Sequence, residues 1–463
     1  MSGPDTARFE GKIVGADHPD YHALRRGWNA IHERRPALIA RCASARDVSE
    51  AIGLARDARL PVSVYGGGHS FSGHSVCDDG VMIDLRPLNG IDVDRERRLC
   101  RAGAGLTWGE LDAATQEHGL AVTGGRVSTT GIAGLTLGGG SGWLERKCGY
   151  TVDNLVSVEI VTADGQILTT SETENPQLFW GLRGGGGNFG VVTKLEFRLH
   201  PVGPAVLGGA LIYPAAMAPE VLRNFRRVMA DQPDEVCSAV VLASAPHEDF
   251  IPEPVRGHPI CLVSLCFACA VEAGEAALRP LREFGPPALD MVEPMPYVAF
   301  QRMIDPSNPA GIRNYITADF LAGLPDEAIE VMCRFHLTRP SPLTEIVTLP
   351  GGGALARVPD EATAFGRDRH SPFNYLIHSK WTDPGADDAN VAWTRELAAA
   401  MKPFSTGRAY LNFIGEEGEE RLVAAFGPRA YARLQALKDR YDPDNLFRLN
   451  QNVKPSRAMV GAR

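Results

Sequence analysis

The sequence predicts an α+β protein of more than one domain. Three observations lead there. Short β-branched runs alternate with capped helical segments over the first 200 residues. Three glycine-dense stretches, Gly66–Gly68, Gly131–Gly142 and Gly184–Gly190, interrupt that alternation. Around Pro201–Pro204 the glycine stretches give way to apolar strands alternating with helices. A chain of 463 residues is long enough for roughly two to three domains.

Taken in order, Ser44–Arg56 reads as a helix. Ser44 and Asp47 have capping-box spacing, and Val48, Ala51, Ile52 and Ala55 fall on one face. Pro61–Val64 reads as a strand running into Gly66-Gly67-Gly68-His69-Ser70, and Val81–Leu85 as another strand. Thr107–His118 reads as a second helix, opened by Thr107 and Glu110 and stopped by Gly119. Residues 124–143 (GGRVSTTGIAGLTLGGGSGW) are too rich in glycine for a stable helix and too long for one turn, so they read as backbone wrapped around a ligand. Val156–Val161 reads as a strand, Asp164-Gly165 as a hairpin turn, Asn175–Leu182 as a helix and Val191–Leu199 as a half-buried strand. Beyond residue 205, Ile260–Ala268 and Phe373–Trp381 read as strands and Pro325–Leu337 as a helix. An amphipathic helix ends at Tyr441.

Composition narrows the function classes. A net charge of −9 argues against a nucleic-acid or anionic-membrane partner. No run reaches the ~18 apolar residues of a membrane span, and MSGPDTARFEGK lacks a signal pattern, so a cytoplasmic location is expected. Nine scattered cysteines do not form a disulfide framework. Cys261, Cys266 and Cys269 lack a second ligand pair and read as part of a buried strand, so no metal is expected.

The glycines carry the functional signal. Three in a row let backbone approach a ligand closely, and consecutive N–H groups form an anion-binding concavity. Gly185, Gly187 and Gly190 fit G-x-G-x-x-G, but a helix precedes them and a strand follows, the reverse of the dinucleotide fold. No glycine stretch ends in the Gly-Lys-Ser/Thr of a P-loop. Together the three stretches are suited to the phosphates and ring of one large nucleotide cofactor.

Four segments in order carry a family resemblance: GGGHS at 66–70, GGRVSTTGIAGLTLGGGSGWLERKCGYTVDNL at 124–155, LFWGLRGGGGNFGVVT at 178–193 and YDPDNLFRLNQN at 441–452. The chain resembles the berberine-bridge-enzyme-like FAD-linked oxidases of the vanillyl-alcohol-oxidase/PCMH flavoprotein fold. It is most similar to bacterial members, among them polyketide-tailoring oxidases such as that of the enterocin pathway. The resemblance implies a two-lobed PCMH-type FAD-binding domain over residues 1–204, completed by 409–463. It implies an inserted substrate domain of antiparallel sheet and helices over 205–408.

The resemblance also implies site residues. FAD contacts are expected from Gly66, Gly67, Gly68, His69 and Ser70. In the second loop they fall on Gly124, Val127, Ser128, Thr130, Gly131, Gly134, Leu135, Gly138, Gly139, Gly140, Gly142 and Trp143, followed by Gly149, Asp153 and Asn154. Gly187, Asn188, Gly190 and Val191 follow in the third loop, and Asn412, Asn450 and Gln451 near the end. His69 is expected to bond the flavin 8α carbon, a neutral imidazole nitrogen being a nucleophile near pH 7. His74 lies off the motif.

Departures shape the expectation. Many members carry a second flavin bond from a cysteine where this chain has Val127, so a single link is expected and Cys148 reads as a packed thiol. Tyr65 stands where many members have arginine, Phe71 where some have tyrosine, and Phe413 where plant cannabinoid-forming members have a tyrosine base. Tyr410, Asn412 and Thr130 remain as catalytic candidates, Thr130 at the position that governs oxygen access in the family. Tyr297, Tyr315, Asp319, Glu345, Tyr375, His378 and Lys380 are further candidates in the second domain, with Asn374, Leu376, His378 and Lys380 on one strand face and Phe373, Tyr375, Ile377 and Trp381 on the other.

Three functions remain open from sequence. One is a flavin oxidase acting on a small alcohol, sugar, cyclic amine or polyketide-like substrate, with hydride transfer to flavin N5 and O2 as acceptor. Another is a flavin oxygenase or dehydrogenase of secondary metabolism. The third is a flavin-binding protein without turnover. Oligomeric state is left undetermined.

Overall fold

The computed structural model describes residues 9–365, 368–415 and 418–459. Residues 1–8, the start of the stretch without a signal pattern, lie outside them.

The first part of the chain builds two small sheets over one core. Lys12–Gly15, Leu38–Arg41, Val81–Asp84 and Val62–Tyr65 lie side by side in that order, the last two pairings parallel. The helix Ala45–Ala58 packs with Val48, Ala51, Ile52 and Ala55 buried. Ser44 caps it, Oγ accepting from the Asp47 N–H at 3.2 Å. The Asp47 carboxylate does not close the box. It accepts from the N–H groups of Glu10, Gly11 and Ala43, tying down the N-terminal strand.

The second sheet is antiparallel, in the order Ile91–Asp94, Leu99–Gly103, Gly190–Arg198, Leu155–Thr162 and Ile167–Ser171. The helix Trp108–Gln116 follows the expected cap, with Glu110 accepting from the Thr107 N–H at 2.8 Å. One expectation fails in the second glycine stretch. Ile132–Leu137 is a helix despite its glycine-rich surroundings. Burial of Ile132, Ala133, Thr136 and Leu137 outweighs poor intrinsic propensity.

From Ala205 to Trp381 the chain forms an eight-stranded antiparallel sheet. Its central strands run Ala205–Pro214, Pro259–Phe267, Val236–Ser244, Glu345–Pro350, Phe373–Trp381, Arg313–Leu321. Strand alternation divides its faces. Leu211, Val240, Leu242, Ile346 and Ile377 pack under the helices Ala218–Met229, Val271–Arg282, Asp326–His336 and Asp387–Met401. The opposite face carries Ala239, Val241, Val347, Leu349, Leu376, His378 and Lys380.

The C-terminal segment returns to the first core, where Leu434, Leu437, Phe447 and Val453 join Phe189 and Leu195. The amphipathic helix expected up to Tyr441 is two helices, Glu419–Phe426 and Pro428–Tyr441, broken at Gly427 with φ +76°. Lys438 fixes this segment from inside: its ammonium donates to Asn188 O, Phe447 O and the Asp442 carboxylate, all within 3.0 Å. Among the described residues no helix is long and apolar enough to cross a membrane.

Candidate active site

A single cavity of about 1360 Å³ runs between the glycine loops and the open face of the eight-stranded sheet. A typical ligand pocket is about 300–1,000 Å³, so there is room for a large cofactor and a substrate together. Its floor includes Gly66, Gly67, Gly68, His69, Ser70, Val127, Thr130, Gly131, Gly134, Leu135, Gly138 and Trp143. Gly187, Gly190, Val191, Asn412, Asn450 and Gln451 complete the side expected to touch FAD.

The glycines do two different jobs. Gly67 and Gly131 press backbone to backbone: a Cβ on Gly67 would sit 2.1 Å from Gly131 N, and one on Gly131 2.3 Å from Gly67 N. Gly134 and Gly187 instead stand on the cavity wall with nothing within 4 Å of a Cβ position. The first pair locks two loops together, and the second leaves backbone bare toward the space a planar nucleotide would fill. The residues therefore fit a flavin nucleotide.

His69 stands at the junction of the loops. Its Nε2 lies 2.9 Å from Thr129 Oγ1 and its Nδ1 3.4 Å from Thr130 Oγ1. Its ring stacks on Trp28 at 4.9 Å between centroids. Trp28 is held by its own N–H to Gly68 O and by its indole N–H to Asn308 O. Burial pulls the His69 pKa down to about 4, so the imidazole is neutral at pH 7.

Several residues expected to touch the cofactor make their polar contacts within the protein and do not line the cavity. Asp153 takes a bidentate pair of hydrogen bonds from Arg369. Asn154 donates to Cys148 O and Tyr150 O. Ser128 donates through N–H and hydroxyl to Asp305. Asn188 donates to Gly185 O and Gln451 O and accepts from Val453 N–H. Gly124, Gly139, Gly140, Gly142 and Gly149 meet neighbouring protein atoms, closest of all Gly142 against Gly124 O.

Tyr410, expected as a catalytic residue, does not line the cavity. It is buried behind the wall, and its hydroxyl accepts from Gly140 N–H, Ser141 N–H and Asn412 Nδ2, each at 2.9 Å. Burial raises its pKa to about 12. These bonds tie it to the second loop. Asn412 and Thr130 do face the cavity. Cys148 is buried, burial pushes its thiol up to about 12, and it does not line the cavity.

Of the candidates from the second domain, Glu345, His378 and Lys380 reach the cavity, whereas Tyr297, Tyr315, Asp319 and Tyr375 do not. Lys380 Nζ lies 2.9 Å from Glu345 Oε1 and donates to Ser307 O at 2.9 Å. Sequence reasoning missed Trp28 and Arg126. Arg126 lines the wall, paired with Glu145 at 3.1 Å and hydrogen-bonded to Ser141 Oγ at 2.8 Å. Its place in GGRVS, inside the second glycine stretch, was the signal available; Trp28 had none.

Known proteins share this fold. Residues 36–171 match the FAD binding domain family and residues 409–454 the berberine and berberine like family. An FAD-linked oxidoreductase of Dictyostelium discoideum is 30% identical over 452 residues, covering 96% of this chain and 95% of that protein. The chain belongs to the berberine-bridge-enzyme-like FAD-linked oxidoreductases. The (R)-6-hydroxynicotine oxidase of Paenarthrobacter nicotinovorans is 29% identical over 463 residues, covering 96% of this chain and 97% of that protein. The crystal structure of 6-hydroxy-D-nicotine oxidase from Arthrobacter nicotinovorans superposes with a TM-score of 0.86 at 27% identity, over 98% of this chain and all of that one. A chitooligosaccharide oxidase at 21% identity shares the fold, with a TM-score of 0.84 over 96% of this chain and 97% of that one. The family membership confirms the expected fold class, an α+β PCMH-type flavoprotein, and an FAD-linked oxidoreductase activity.

Proposed function

We propose that this family member is an oxidase that holds FAD through one bond, from His69 to the flavin 8α carbon, and oxidises a compact apolar alcohol or cyclic amine. The observation that carries the reading is the single cavity with His69 at the meeting point of the glycine loops and the sheet face. The flavin, when bound, supplies a hydride acceptor at N5. His69 is neutral and kept in place by Thr129, Thr130 and Trp28, as attachment requires. Val127 cannot provide a second, thioether link. Residues 1–204 and 409–463 form the FAD-binding unit in this reading, and 205–408 the substrate-binding unit.

The sheet face supports an apolar substrate. Ala239, Val241, Val347, Leu349 and Leu376 line it, with the Glu345–Lys380 pair beside them and Glu248 and Glu293 elsewhere on the cavity wall. A sugar would need hydrogen-bonding groups along its whole length, because its hydroxyls leave water on binding. The 6-hydroxynicotine oxidase relative acts on a substrate of the cyclic-amine class by its name, which favours this side of the expectation over sugars. Thr130 on the wall favours O2 as acceptor, in a soluble, cytoplasmic enzyme. A screen for substrate-dependent peroxide with benzylic alcohols, cyclic amines and sugars tests the reading. Peroxide with sugars alone would overturn the substrate class.

A further inference from the structure

We infer that His378 is the proton acceptor of the reaction, taking the hydroxyl or amine proton of the substrate on Nδ1. The inference rests on the oxidase reading above. The tyrosine positions used as bases elsewhere hold Phe71 and Phe413 here, and Tyr410 is turned away, so the cavity needs another group.

The hydrogen-bond network fixes the His378 tautomer. Asn314 Nδ2 donates to Ile312 O at 2.8 Å, which turns Asn314 Oδ1 toward His378 Nε2 at 2.9 Å. The reverse amide orientation would set Oδ1 against the Ile312 carbonyl oxygen. An oxygen can only accept, so Nε2 carries the hydrogen and Nδ1 keeps a lone pair. Among the described residues nothing bonds to Nδ1, and His378 lines the cavity.

Position supports the role. The His378 ring meets Phe71 edge-on at 5.5 Å and lies 6.2 Å from Trp28, the same indole that stacks on His69 at 4.9 Å. Trp28 is thus a shared neighbour of His378 and of the histidine proposed to hold the flavin. The ionisable groups around it are Lys380 on its own strand, Glu345 directly opposite on the neighbouring strand, and His69 against Trp28; Asn314 on the other flank is neutral. Burial, helped by Lys380, lowers the His378 pKa well below the usual histidine range, keeping the ring neutral.

A weak base suffices because the substrate proton becomes strongly acidic as its neighbouring carbon gives up a hydride. For an alcohol, the C–H electron pair leaves with its hydrogen to the flavin. The O–H electrons form the carbonyl π bond, and the proton passes to Nδ1. The imidazolium then returns that proton to water. An amine follows the same course to an imine.

The test begins with the flavin-loaded full chain labelled with 15N-histidine. The resonances lost in His378→Gln identify His378, and Nε2–H with an unprotonated Nδ1 at pH 7 is expected. An Nδ1–H tautomer or a charged ring overturns the proposal whether or not any substrate turns over. With 1-indanol or 2-phenylpyrrolidine as probe, His378→Gln should lose at least about 10²-fold in kcat/KM. The acid limb of the wild-type pH profile should vanish with it. Added imidazole should restore His378→Ala. Unchanged kcat/KM in His378→Gln also overturns the proposal. A chain without flavin, or peroxide from sugars alone, sinks the oxidase reading instead.

Discussion

The imidazole of His69 lies flat against the indole of Trp28, with centroids 4.9 Å apart and planes inclined by 18°. A ring fixed on one face and at both nitrogens has little freedom to lose when it bonds a cofactor. Wild-type polypeptide should therefore stay yellow and fluorescent after denaturation in acid. His69→Ala should lose all attached flavin. A fluorescent His69→Ala band on a denaturing gel contradicts the assignment.

Cys148 tests the number of links. The thiol is buried, pushed up to about 12, and outside the cavity wall. Cys148→Ser should keep its flavin with an unchanged absorption spectrum. Flavin on the Cys148 peptide in a tryptic map would disprove a single link.

Thr130 lines the cavity 3.4 Å from His69 Nδ1. Valine there keeps the size and removes the hydroxyl, whereas leucine adds bulk where O2 must approach. Stopped-flow reoxidation of photoreduced Thr130→Leu should be at least about tenfold slower than wild type, a barrier increase of about 1.4 kcal/mol. Flavin content should be equal in Thr130→Val, Thr130→Leu and wild type.

Lys438→Met should cost about 3 kcal/mol of stability. It leaves Asp442 buried without its cation, and Asn188 O and Phe447 O without their donor. The third glycine loop loses its tie to the C-terminal segment, so flavin content should fall together with the melting temperature. Calorimetry and the flavin-to-protein ratio check both effects. A full flavin load in Lys438→Met would show the tie to be dispensable.

Asp112 is fully buried, and burial raises its pKa from 3.8 to about 7. Between those values the unfolded chain ionises this carboxyl and the folded chain does not. Stability therefore falls as pH rises through that window and levels off above pH 7. Asp112→Asn removes this penalty and retains an acceptor for Gln301 Nε2. It should be more stable than wild type at pH 8, by on the order of 3 kcal/mol, with the advantage gone by pH 4. Urea melts at the two pH values decide it.

The legible part of the fold was the part governed by local rules. Ser44, Thr107, Gly119 and the alternation from Val191 to Leu199 each act within a few residues, and their elements formed where expected. The helix Ile132–Leu137 was not legible, because tertiary burial overrides the propensity that read against it. At the site, the motifs led to the cavity but not to the task of each residue. Asp153 and Tyr410 share motifs with cavity residues, yet their partners, Arg369 and the Gly140 and Ser141 amides, are brought to them only by long-range packing. His378 was legible as a strand position. Its tautomer was not, because it depends on Asn314, 64 residues away.

Gly67 and Gly131, each filling the space a side chain on the other would need, carry a warning for mutational scanning. A saturation library scored by flavin loss would mark both as intolerant for their clash with each other alone. No second-site change at the partner can restore either one, since glycine is already the smallest residue. Intolerance at these two positions would report how closely two loops are seated as well as how they meet the cofactor, and such a screen would count the two effects as one.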